Sequence, residues 1–237
     1  MNILKEIIKD KQKQLDLVKS DKNIFKQIFL EKKANIIWEI KLVSPKFDYS
    51  KQIDLKQVFH FYWNKKDIKA VSVLIDKKYF SWDIVRWYDF KRQYKKPIFF
   101  KEFVIEKRQI DGASYFWYDA LLLLKRVLTL KKIIELINYS NQKNIFPIVE
   151  VDNTNDLGEV LKLDLDFGIA INCRDLWTME INKNRHFEIY EKYKEKLEDK
   201  ITFAFSWIYN LEDIKEYKWK YNWVLIWTHF MKQLIIK

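Results

Sequence analysis

Short apolar runs, rich in β-branched and aromatic residues, recur along the chain: "NIIWEI", "AVSVLI", "PIFFKEF", "DALLLL", "IFPIVEV", "FGIAIN", "ITFAF" and "WVLI". Each is short for a helix and bounded by polar residues, so each reads as a strand buried on both faces. Between them lie segments whose apolar residues fall at helical spacing, at 54–63, 82–94, 128–140 and 155–163. Residues 3–33 carry the same spacing (Ile3, Ile7, Ile8, Leu15, Val18, Ile24, Ile28, Phe29) amid many lysines. They predict one or two amphipathic helices covering part of the body of the protein.

Strand and helix thus alternate throughout, the signature of βαβ units and a parallel sheet. The fold class is α/β. Eight units in 237 residues favour a closed (β/α)8 TIM barrel over an open doubly wound sheet, with residues 1–34 as an N-terminal helical extension. No linker, shared sequence repeat or low-complexity tract divides the chain, so residues 1–237 read as one domain.

Composition narrows the partners. The net charge is +11, but the 44 Lys and Arg are interleaved with 33 acidic residues and form no basic block, so the reading is a solvated lysine-rich surface without a nucleic-acid partner. Cys173 stands alone, which excludes an intramolecular disulfide and a thiolate cluster and argues for a reducing compartment. It reads as a packed small side chain. His60, His186 and His229 fall on a helix face, in a charged stretch and in the closing loop, with no ligand spacing, so no metal site is expected. The opening "MNILKEIIKDKQKQ" lacks an uninterrupted apolar core, and no segment approaches a membrane-spanning length. A soluble cytoplasmic protein is expected. Phe59, Phe61, Tyr62 and Trp63 read as helix packing rather than as a platform for stacking bases.

The polar residues inside the apolar runs carry the candidate chemistry. In a strand, residues two apart share a face, so Glu39 and Lys41 project together from the end of "IIWEIK", and Asn172 and Arg174 from "IAINCR". Lys101 follows "PIFF" on the face of Phe99 and Phe103, and Glu150 sits beside Ile148 in "PIVEV". All lie at carboxyl ends of strands, the rim where barrel active sites are built. Any one could be a strand-end side chain reaching solvent. Four of eight strands ending this way point to one converging site, suited to general acid–base work on an anionic substrate.

The ordered series "IIWEIKLVSP", "SVLID" with Phe80, "PIFFKEFVI" with Gln109, "DALLLL", "IVEV", "INCRDL" and "VLIW…FM" resembles the indole-3-glycerol phosphate synthase family of tryptophan biosynthesis over nearly the whole chain. The resemblance implies conversion of 1-(2-carboxyphenylamino)-1-deoxyribulose 5-phosphate to indole-3-glycerol phosphate by ring closure, decarboxylation and dehydration, with no metal or organic cofactor. Lys101 matches the general acid and Glu150 the acid/base residue of the dehydration, while Glu39 and Lys41 order the charged site. Ser44, Phe103, Asn172 and Arg174 correspond to substrate-binding positions. The phosphate falls to Lys41, Ser206, Trp207, Trp227 and Thr228. Three residues depart from the family pattern: Glu102 for an aspartate, Cys173 for an asparagine and Phe205 for a glutamate. The partner implied is a small phosphorylated substrate, with other tryptophan-pathway enzymes as candidate associates. The rivals are a phosphoribosylanthranilate isomerase-like barrel, against which Lys41 and Lys101 speak, a non-catalytic binding barrel, and a basic nucleic-acid binder.

The chain has 10 Trp and 3 Gly, where about 7% glycine would give roughly sixteen. Trp82, Trp117, Trp207 and Trp227 stand where the family pattern has glycine, and Trp38, Trp63, Trp177, Trp219 and Trp223 are also compatible with a small residue. Two explanations stand open: a codon that the source organism reads as glycine, or a tryptophan-rich divergent enzyme.

Overall fold

The computed structural model describes residues 32–41, 43–44, 47–48, 55–76, 96–175 and 178–235. Eight parallel strands close into a barrel: β1 (Asn35–Ile40), β4 (Ile68–Leu74), β5 (Ile98–Lys101), β6 (Ala120–Leu124), β7 (Phe146–Val151), β8 (Gly168–Asn172), β9 (Thr202–Phe205) and β10 (Trp223–Ile226), which pairs back onto β1. These are the eight apolar runs. A two-stranded antiparallel ribbon, β2 (Val43–Ser44) with β3 (Phe47–Asp48), follows β1.

Helices α1 (Leu55–Asn64), α3 (Leu130–Gln142) and α4 (Thr154–Val160) match the helical spacing in the sequence to within a few residues. The structure adds α2 (Lys107–Tyr115), α5 (Arg185–Leu197), α6 (Thr228–Ile235) and a 3-10 turn at Asp213–Tyr217. The helix read at 82–94 lies outside the described residues. So does the N-terminal extension, except for 32–34, which run directly into β1 with the Ala34 amide donating to Tyr221 O.

Side chains alternate across the barrel wall. Ile36, Trp38 and Ile40 of β1 face the helices, where Trp38 meets Phe61 and Phe230 at 5.4 and 6.0 Å between ring centroids. Ile37 joins the interior, which is filled by large rings against small residues: Phe99, Phe146, Phe203 and Trp223 beside Ala70, Ala120 and Ala170. Gly168 belongs to this filling, because a Cβ there would lie 2.6 Å from the Phe203 ring and 2.9 Å from the Phe146 ring. The lower end is sealed by Asp119 Oδ2, accepting from the Ile98 amide, and Asn222 Oδ1, accepting from the Thr202 amide and hydroxyl. Phe59, Phe61 and Tyr62 pack as read, whereas Trp63 on the same helix is 52% exposed.

Helices α2 and α3 end in the same left-handed turn. The amide of Tyr118 reaches back to Ala113 O and that of Ile145 to Ser140 O, each at 3.0 Å. The residue forced to φ 58° is Asn144 in one and Trp117 in the other. Asparagine tolerates this region, but a bulky side chain there costs about 1–2 kcal/mol.

Candidate active site

Because β-strands alternate, the inward positions that hold Ile37, Phe99, Ile148 and Ala170 are followed two residues later by Glu39, Lys101, Glu150 and Asn172. Parallel register brings all four to the carboxyl end of the barrel. Lys101 Nζ donates to Glu39 Oε1 at 2.7 Å, and Lys41 Nζ lies 3.8 Å from Glu39 Oε2. Across the mouth, Asn172 Nδ2 donates to Glu150 Oε1 at 2.8 Å. Asn172 Oδ1 in turn accepts from the Arg174 amide at 2.9 Å, and the Arg174 guanidinium reaches Met179 O at 3.3 Å. Glu150 Oε2 is buried without a hydrogen-bond partner among the described residues.

The two carboxyls are tuned apart. Burial pushes Glu39 up, but the Lys101 and Lys41 ammoniums overcome it and hold the group below the ordinary carboxylate range. Burial also pushes Glu150 up, and there it prevails, because Lys101 and the Asn172 amide are offset by the Asp152 and Glu39 charges. Desolvation lowers Lys101, but Glu39 and Glu150 more than compensate, so its ammonium keeps its proton above the usual lysine value. Lys41 moves the other way, with burial outweighing Glu39. Where the family pattern has a glutamate, Phe205 places its ring 5.4 Å from Lys101 Nζ.

The loop after Lys101 is tied down by Gln109, whose Oε1 accepts from the Ile105 and Glu106 amides and whose Nε2 donates to Phe103 O. Phe103 itself is 52% exposed. Ser44 sits on the β2 ribbon; its side chain, like that of Thr228 at the start of α6, lies outside the described residues. Ser206 and Trp207, just past β9, are consecutive left-handed residues at φ 68° and 62°. The Trp207 indole lies under Lys183 Nζ at 4.3 Å. Trp227 bridges β10 to β1, its Nε1 donating to Lys41 O at 3.2 Å, with Lys41 Nζ 5.0 Å above its ring.

Two features escape the sequence reading. His186, which the sequence places in a charged stretch, is fully buried: Nε2 donates to Ile171 O and Phe205 O at 2.9 and 3.0 Å, tying the ends of β8 and β9, while Nδ1 meets Tyr217 OH and Cys173 Sγ. Arg126, just past β6, reaches Asp152 and Asp175 on the next two loops. Arg126 had no periodicity signal, whereas His186 falls at helical spacing with Ile189, Tyr190, Tyr193 and Leu197. Cys173 is buried against His186, as a packed side chain. Among the described residues, no group of three or more His, Cys, Asp or Glu side chains could hold a metal ion, and no helix is long and apolar enough to cross a membrane.

Comparison with known proteins agrees with the barrel fold. The profile of the family "Indole-3-glycerol phosphate synthase" matches residues 2–235. The indole-3-glycerol phosphate synthase of Sulfurisphaera tokodaii is 35% identical over 202 residues, covering 84% of this chain and 79% of that protein. The tryptophan biosynthesis protein TrpCF of Helicobacter pylori is 33% identical over all of this chain, and the chain spans about half (53%) of its length. Among solved structures, a tryptophan synthase alpha-subunit of Pyrococcus furiosus superposes with a TM-score of 0.62 at 14% identity, covering 88% of this chain and 92% of that one, which bears on the fold alone. With the family profile spanning nearly its whole length, this chain belongs to the indole-3-glycerol phosphate synthase family.

Proposed function

We propose that the protein closes the indole ring of 1-(2-carboxyphenylamino)-1-deoxyribulose 5-phosphate, releasing carbon dioxide and water to leave indole-3-glycerol phosphate. The observation that carries this is a protonated lysine and a buried carboxyl with one unpaired oxygen, together at one barrel mouth. Lys101 Nζ gives a proton to the substrate's carbonyl oxygen as the aromatic carbon attacks it, turning the carbonyl into a hydroxyl. Loss of the ring carboxylate as carbon dioxide restores aromaticity. Glu150, held above the ordinary carboxylate range by burial, moves the protons that allow the hydroxyl to leave as water. Glu39 holds Lys101 charged and in place. Arg174 offers a planar fork to the substrate carboxylate, and Ser44, Phe103 and Asn172 line the substrate.

The phosphate is assigned to Lys41, Ser206, Trp207, Trp227 and Thr228, where the loops after β9 and β10 meet the start of α6. TrpCF is a longer protein, and a tryptophan-pathway enzyme is the natural candidate for a fused or associated partner. A buried single thiol suits a reducing cytoplasm.

The test is direct. Purified protein mixed with the carboxyphenylamino substrate should release indole-3-glycerol phosphate, followed by its fluorescence. Folded protein that leaves the substrate unchanged at high enzyme concentration overturns the reading.

A further inference from the structure

One guanidinium, from the loop after β6, reaches past the ends of two strands that build the site. Arg126 Nε and Nη2 donate to Asp152 Oδ2 at 3.0 and 2.7 Å, and Nη2 also donates to Asp175 Oδ2 at 2.9 Å. Asp152 is 3% exposed and lies two residues beyond Glu150; its other oxygen accepts from Asn153 Nδ2. Asp175 directly follows Arg174, and its Oδ1 accepts from the Thr178 amide. We propose that Arg126 is a positioning residue, which holds Glu150 and Arg174 in register across the mouth by neutralising and pinning the aspartates beside them. This rests on the function proposed above.

The groups facing Glu150 are Lys101 from β5, Glu39 from β1, Asp152 from its own strand and Asn172 from β8. Arg126 acts on this set through Asp152, whose negative charge raises Glu150 further whenever it is not compensated. The measurement is the carboxyl titration of Glu150 in 13C-glutamate-labelled protein, assigned with Glu150→Gln. In Arg126→Met the midpoint should move to higher pH by on the order of half a unit, the size expected of an uncompensated like charge two residues along a strand. Arg126→Lys should return it. The acid limb of kcat should follow the same shift, with KM changing less than kcat. An unmoved midpoint in a folded Arg126→Met protein overturns the proposal. The titration needs no turnover, so an inactive parent chain would count against the proposed reaction and leave this measurement intact.

A second inference rests on backbone geometry. The described non-glycine residues with positive φ are Ala34, Trp117, Asn144, Met179, Ser206, Trp207 and Trp219. Three of the seven are tryptophan, among the least suited residues to that region, while all three glycines take ordinary backbone angles. Trp117 occupies the helix-ending position usually held by glycine, Trp219 is 78% exposed and packs nothing that would repay its strain, and Trp207 lies in the loop assigned to the phosphate. A divergent, tryptophan-rich sequence would place its tryptophans in cores and on surfaces, not preferentially in left-handed turns. We infer that positions 117, 207 and 219 are glycine in the protein that the source organism makes, through a codon that it reads as glycine.

Mass spectrometry of the protein from its native cells decides this. The tryptic peptides spanning 109–125 and 201–215 each contain one of these positions. Both should be lighter than the written sequence by the difference between a tryptophan and a glycine residue. Tryptophan masses at both overturn the inference. In the chain as written, Trp117→Gly and Trp219→Gly should each raise Tm by roughly 2–4 °C. A fall in Tm in both variants would remove the backbone argument.

Discussion

Lys101 Nζ meets Glu39 Oε1 at 2.7 Å across 62 residues of sequence, and both side chains are largely withdrawn from water. A buried ion pair of this kind is costly to desolvate, and little about the fold requires it. In the proposed reaction, its value lies in a lysine that arrives at the substrate already protonated. Lys101→Ala should therefore lower turnover by a factor on the order of 10²–10⁴ with the barrel intact by circular dichroism. Near-native kcat in that variant would remove Lys101 from the proton-donating role.

Glu150 carries a stability cost of definite sign. Its folded-state carboxyl lies above the ordinary value of 4.5, so the folded protein binds the proton more tightly than the unfolded chain does. Stability from this group is fully present below about pH 4.5 and is lost as pH rises through the raised value. Glu150→Gln, which keeps an acceptor for Asn172, should be inactive yet unfold roughly 2–4 °C higher at pH 8, the size of a gain of about 1 kcal/mol in a domain of this length. The advantage should shrink as pH falls toward 4.5. Melting curves at both pH values check it, and equal Tm at pH 8 would contradict the burial argument.

His186 has the opposite sign. Burial pushes its imidazole down from 6.5 to about 4, so the unfolded chain takes up the proton first and stability is lost as pH falls between those values. His186→Phe preserves the ring volume but removes the donor to Ile171 O and Phe205 O and the partner of Tyr217 OH, at about 0.5–1.5 kcal/mol for each hydrogen bond lost, while Phe205 O keeps the Cys173 amide. Tm at pH 7.5 should drop by roughly 5–10 °C. The part of the acid-induced loss that falls between pH 6.5 and 4 should flatten in the variant. Urea midpoints at pH 7.5 and 5 measure both effects.

Trp207 and Trp227 place indoles in the two loops assigned to the phosphate. The joint change Trp207→Gly with Trp227→Gly should tighten binding of indole-3-glycerol phosphate by at least about tenfold, or 1.4 kcal/mol, by uncovering backbone amides. Calorimetric titration of both proteins measures it. Equal or tighter binding by the tryptophan form would move the phosphate elsewhere on the rim.

The sequence alone determined the strands and the polar residues at their carboxyl ends, for a local reason. A buried parallel strand must be apolar along its length, so every apolar run is a strand, and a charge at its last inward position is visible because it breaks the run. Glu39, Lys101, Glu150 and Asn172 were legible in that way. Helices such as α5 were harder to read, because the charged residues of "RHFEIYEKYKEKL" thin its apolar stripe to Ile189, Tyr190, Tyr193 and Leu197. What only the tertiary structure decided is how these residues are held. That His186 is buried between two strand ends, that Arg126 spans two aspartates, and that Trp117, Trp207 and Trp219 bend into left-handed turns all depend on contacts between distant segments, or on backbone angles those contacts impose. Hydrophobic periodicity records which face of an element is buried. It does not record what a polar side chain finds once the barrel has closed.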